Sequence, residues 1–138
     1  MSKEFRDFQK QFKKASNIVI KGSEEVVRAA AISLFSEIIK RTPVDTGRLR
    51  GNWQASLESP ATGKLSTVDK AGITSINKVK QKASEFKVND IIYLTNNLEY
   101  AQYIENGTPH IIPFGMVKTT LRDFRATIKR EGRKKGFK

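Results

Sequence analysis

Apolar residues recur at three- and four-residue steps over residues 3–41, and that period predicts helix. Phe5, Phe8, Phe12, Ala15 and Val19 mark the first part; Val26, Val27, Ala30, Ala31, Leu34, Phe35, Ile38 and Ile39 mark the second. Gly22 separates them, and Ser23 before Glu24 and Glu25 reads as a fresh start, with a side-chain cap and acids in the first turn. A kink or break is therefore expected near Lys21–Gly22–Ser23. The second part is apolar over a wide face and predicts core. The first, residues 1–22, reads as a helical arm whose narrow Phe stripe among lysines docks on the same domain or on a neighbouring subunit. Pro43 stops the helix by disfavouring helical geometry at Thr42. Asp45-Thr46-Gly47 is turn chemistry, with Gly47 expected at positive φ and Asp45 accepting from amides of its own turn. Alternation follows, with Leu49, Gly51, Trp53, Ala55 and Leu57 on one side, and predicts a half-buried strand with Trp53 packed near Leu34 and Ile38.

Residues 59–70 are rich in Ser, Thr, Gly, Pro and Lys and read as loop. Ile73, Ile76, Val79 or Lys80, Ala83 and Phe86 sit at helical spacing, so residues 71–86 predict a short amphipathic helix. Asn89-Asp90 is a turn, and Ile91 to Thr95 is a strand ended by Asn96-Asn97. Leu98, Ala101 and Tyr103 or Ile104 predict a short helix closed by Gly107 as a left-handed cap. Residues 108–115 hold two prolines and a glycine and read as loop. Val117, Leu121, Phe124 and Ile128 predict a last helix over 116–129. The class is α+β: one domain over residues 1–138, with a long kinked N-terminal helix packed on a small antiparallel sheet. Short helices follow the second strand and lie near the C-terminus. Residues 59–88 form an insertion between strands, expected to lie outside the sheet and to contribute Ile73 and Ile76 to a contact with another subunit or protein.

Charge changes this picture at one end. The net charge is +12, and residues 118–138 carry +7 of it. Arg130, Arg133, Lys134 and Lys135 belong to this run, and residues 130–138 read as a disordered basic tail. Such a run seeks phosphate or an acidic protein surface. It has few interleaved aromatics, so it reads as an electrostatic contact and not as a reader of base sequence. A small basic module holding nucleic acid or an acidic partner is thus the alternative function. Chemistry is otherwise sparse. There is no cysteine, which excludes thiolate metal sites and disulfides. His110 is the one histidine, in a loop beside Pro109, and its spacing from Asp45 and Glu105 supports no metal site. Glu99 and Glu105 form an acid/base pair only in principle; Glu99 more simply suits the first turn of its helix. There is no phosphate-binding glycine loop. No catalytic residue, cofactor or metal is expected. The charged N-terminus lacks a signal-peptide core, and no stretch approaches the ~20 apolar residues of a membrane span, so a soluble protein assembled in the cytoplasm is expected.

Several segments, in order along the chain, carry a family resemblance. Thr42-Pro43-Val44-Asp45-Thr46-Gly47-Arg48-Leu49-Arg50 resembles the Pro-Val-Asp-Thr-Gly-x-Leu segment that follows a long helix in the tail-completion and head–tail joining proteins of long-tailed bacteriophages. Asp90 to Ala101 is similar to that family's strand ending in Asn-Asn and its Tyr-Ala helix, and Ile104-Glu105-Asn106-Gly107-Thr108 to its Glu-x-Gly turn. Pro113, Gly115-Met116-Val117 and Phe124 are similar to its closing loop and helix. The resemblance runs over residues 23–128; Glu99 departs from a common proline, and the Phe stripe and basic tail fall outside it. It implies a non-enzymatic virion protein of the phage neck, assembled in the host cytoplasm. It further implies a homo-oligomeric ring of about six or twelve subunits, seated between head-connector and tail-terminator or tail-tube proteins, near DNA and away from membranes. Pro43, Asp45, Thr46, Gly47, Asn96, Asn97, Tyr100, Glu105 and Gly107 are then fold-defining. Contacts are expected from Phe5, Phe8, Phe12, Ile73, Ile76, Arg130, Arg133, Lys134 and Lys135.

Overall fold

The computed structural model describes residues 17–20, 23–110, 112–123 and 126. Three strands form one antiparallel sheet in the order β1 (Asn17–Ile20), β3 (Ile92–Asn96), β2 (Trp53–Leu57). β3 is central: Asn17 faces Thr95 on one side, and Trp53 faces Asn96 on the other. The helices are α1 (Glu24–Arg41), the single turn α2 (Arg48–Gly51), α3 (Ile73–Ser84), α4 (Ala101–Asn106) and α5 (Met116–Arg122). α1 packs against α3 and α5, and α3 also packs on β2.

The helical arm expected over residues 1–22 gives way to strand at 17–20. Ile18, Val19 and Ile20 are three consecutive β-branched residues, which favour extended backbone, and the edge of β3 opposite β2 satisfies their ladder. Phe5, Phe8 and Phe12 lie outside the described residues. α1 is the long helix packed on the sheet, and it begins after Ser23 with Glu24 and Glu25 in its first turn; Ser23 makes no side-chain capping bond. Its wide apolar face is core: Val27, Ala30, Ala31, Leu34, Phe35, Ile38 and Ile39 are all buried. Trp53 joins the same cluster as Leu34 and Ile38. Each fully buried side chain of this size contributes roughly 1.5–3 kcal/mol.

The alternation from Leu49 becomes strand only at Trp53. Before it, Gly47 takes φ 93°, and the Gly51 N–H donates to the Gly47 carbonyl at 2.9 Å, closing a helical turn. Residues 59–88 do lie outside the sheet, but they are not an excursion. Val79, Ala83 and Phe86 are 0% exposed in the core, and Arg28 donates through Nε and Nη2 to the Phe86 carbonyl at 3.0 and 2.7 Å. Its helix is one of the walls of the core. Ile76 packs against that core, and only Ile73, 65% exposed, faces out.

Gly47 supplies a direct test of the turn. A Cβ there would lie 2.8 Å from the Lys70 nitrogen and 2.9 Å from that of Asp69, both backbone. Left-handed backbone alone costs a β-carbon residue roughly 1–2 kcal/mol. Gly47→Val should lower the urea midpoint by more than that cost alone would; an unchanged midpoint would mean that the turn does not hold this conformation in solution.

Candidate subunit-contact surface

Two sets of polar side chains hold the segments that connect the elements. The first surrounds the Pro43–Gly47 turn. The Thr46 hydroxyl accepts from the Arg48 N–H at 3.2 Å; Asp45 and Thr46 are both exposed, and the acceptor role expected of Asp45 is filled by Thr46. The Asp69 N–H donates to the Gly47 carbonyl at 2.9 Å, docking the insertion on the turn. The buried Asp69 carboxylate accepts from the Gly72 N–H at 3.0 Å and the Ser75 N–H at 2.7 Å, closing the start of α3. Arg50 donates to the carbonyls of Lys40 (2.9 Å), Thr42 (2.8 Å) and Lys70. Beyond the strands, the Asn96 amide donates to the Leu49 carbonyl at 2.9 Å while its oxygen accepts from the Leu98 N–H. Asn97 donates to the carbonyls of Ala61 and Gly63, both at 2.9 Å. These residues stitch loops to strands, which is a structural role.

The second set builds a platform. Glu105 is 2% exposed, and its oxygens accept from the N–H groups of Val117 (2.9 Å) and Lys118 (2.8 Å) at the first turn of α5. The N–H groups of Phe114 and Gly115 donate to the carbonyls of Ile104 (2.9 Å) and Glu105 (3.2 Å). The connection between α4 and α5 is thus fastened to α4. Gly107 contributes φ 77° with ψ 171°, a glycine conformation but not the left-handed helical cap expected. On the outside of this frame stand Tyr100, Tyr103, Ile112 and Phe114, exposed to 39, 54, 86 and 57%. Large apolar side chains left exposed on segments tied into one frame make this a candidate protein-contact surface. Glu99 pairs with Lys64 at 3.3 Å, and both Glu105 oxygens are taken by amides, so the two are not arranged as an acid/base pair. Among the described residues, no group of three or more His, Cys, Asp or Glu is placed to hold a metal.

The family model described as "Bacteriophage HK97-gp10, putative tail-component" matches residues 6–107. The chain belongs to this family. No curated protein and no solved structure matches it. The HK97-gp10-like match spans the Pro43–Gly47 turn, both asparagines and Glu105, so the features that stitch this fold lie inside the family's domain. It begins at Arg6 and so takes in Phe8 and Phe12, which the motif resemblance left outside. It stops before Ile112, Phe114 and α5. As a phage tail component the protein is a structural part of the virion. Among the described residues no helix is long and apolar enough to cross a membrane.

Of the contact residues expected from sequence, Ile73 is exposed at the start of α3 and Ile76 is half-buried beneath it. Arg130, Arg133, Lys134 and Lys135, like the Phe stripe, lie outside the described residues. The platform was not among the expected contacts. Its trace in the sequence is the apolar Ile112 and Phe114 within a proline-interrupted loop, where no helical or strand period exists to bury them.

Proposed function

We propose that this HK97-gp10-like protein is a non-enzymatic ring subunit of the phage neck, completing the tail or joining it to the head connector. The platform of Tyr100, Tyr103, Ile112 and Phe114 carries the reading. A frame held by a buried carboxylate and backbone bonds presents large apolar side chains to solvent, and that suits a permanent protein partner. Rings arise from heterologous contacts that close by rotation, and a subunit with distinct exposed patches can supply the two halves of such a contact. Six or twelve copies are the ring sizes to expect, flanked by head-connector and tail-terminator or tail-tube proteins.

The test is sedimentation of the full chain, followed by electron microscopy, with a DNA mobility assay alongside. Closed rings with weak DNA binding are expected. A monomer at all concentrations that shifts DNA would overturn the ring reading in favour of a basic nucleic-acid-binding module.

The +7 of residues 118–138 fits a rim contact with an acidic neighbouring protein better than a DNA channel, because neutralising phosphates tightens binding and would drag on passage. Rim charges chiefly raise association rate and are screened by salt. Replacing Arg130, Arg133, Lys134 and Lys135 with Ser should slow attachment to the partner structure most at low ionic strength and leave the thermal midpoint unchanged. Equal slowing at high and low salt would reject an electrostatic role.

A further inference from the structure

An exposed apolar platform needs an occupant, and three features of the chain point to one. The first is where the chain enters the fold. Asn17 pairs with Thr95 in an antiparallel ladder, so residues 1–16 join β1 at the end of the sheet where β3 runs on through Asn97 and Leu98 to Tyr100. A sixteen-residue arm thus enters the domain at the platform's end of the sheet; even as helix it would reach ~24 Å.

The second is chemical fit. Phe5, Phe8 and Phe12 share a helical period, and the platform offers two tyrosines, an isoleucine and a phenylalanine, none of which a described residue covers to less than about a third exposure. The third is charge. Copies of a +12 chain repel one another, yet residues 88–117 contain no Lys or Arg at all. The arm, residues 1–16, carries five basic and two acidic side chains. The one long cation-free stretch of this protein is therefore also the stretch that presents the apolar surface; Lys64 beside it is paired with Glu99, so a basic arm meets little like-charge repulsion there.

We propose that the arm of one subunit lays Phe5, Phe8 and Phe12 on the Tyr103–Ile112–Phe114 surface of the next subunit; this rests on the ring reading above. Arm and platform are different patches of the same chain, so their pairing is heterologous and propagates from copy to copy until the ring closes.

The chain has no cysteine, which makes disulfide trapping clean. Full-length Phe8→Cys and Phe114→Cys proteins, one carrying a mass tag, are mixed, oxidised and resolved without reductant; Phe12→Cys with Ile112→Cys repeats the test at a second position. Lys78→Cys, on the exposed side of α3, replaces the platform cysteine as control. All the platform positions are exposed, so these variants should keep the wild-type thermal midpoint. The expected result is a shift of monomer into tagged–untagged heterodimer for either arm–platform pair, lost with the control. Rings that form without such a product overturn this inference and leave the ring reading standing. Monomers that never cross-link overturn both. A bond formed only within one chain, in the doubly substituted Phe8→Cys and Phe114→Cys protein, shows that the arm covers its own platform and overturns the exchange between subunits.

Discussion

Trp53→Ala should lower the unfolding free energy by about 3–5 kcal/mol, the usual cost of removing so large a side chain from a core. Trp53 is 1% exposed and packs in one cluster with Leu34, Ile38 and the sheet. It is also wired in. Its Nε1–H donates to the Thr42 hydroxyl at 2.8 Å, and that hydroxyl donates to the Ile38 carbonyl at 2.7 Å. Thr42 itself is 0% exposed, so the truncation opens a cavity and strips a buried hydroxyl of one partner. Domains of this size hold only about 5–15 kcal/mol in total, and the variant should be marginal at growth temperature. Trp53→Phe keeps most of the volume and loses the donor, so it should cost less than the Ala variant. Urea denaturation of the three proteins measures this. Equal midpoints for wild type and Trp53→Ala would place the indole outside the core.

Glu105→Ala is the second large effect. Both oxygens of this buried carboxylate accept backbone amides at the start of α5. Hydrogen bonds to a charged group contribute roughly 1.5–3 kcal/mol each, with less than full additivity expected for two on one carboxylate. A loss of about 3 kcal/mol is expected, together with loosening of the Tyr103–Phe114 platform that α5 and α4 hold between them. Glu105→Gln retains one acceptor oxygen and should recover part of the loss. Hydrogen exchange separates this from a general destabilisation: Val117 and Lys118 amides should lose protection more than those of β3. Uniform loss across the fold would argue that Glu105 has no local role in fixing the platform.

Much of the fold is readable from the chain because each element of the core carries its own period. The α1 face from Val27 to Ile39 repeats at helical steps and is buried as that repeat requires. Gly47 stands at positive φ, as a turn after Asp45-Thr46 requires, and Trp53 lies inward as the alternation requires. Legibility fails where long-range partners override local pattern. Val19 continues the helical spacing of the Phe residues, yet residues 17–20 pair with β3, some 75 residues on. The single turn of α2 depends on Gly47 and on the docked backbone of Asp69, which no window around Leu49 contains. Asp69, Arg50 and Glu105 act through backbone groups of distant segments, and neither hydropathy nor spacing marks them. The platform is hidden for a different reason: a loop has no period, so its apolar residues give no sign of which way they face.

Membership of the HK97-gp10-like family fixes the protein as a phage tail component; its proposed place is a ring in the neck. The most direct measurement is to break purified virions into heads, necks and tails and to quantify this chain in each by mass spectrometry. The protein should be found at the head-proximal end of the tail, in a copy number matching one closed ring. Distribution along the tail tube, or absence from virions with recovery on DNA, would contradict this placement.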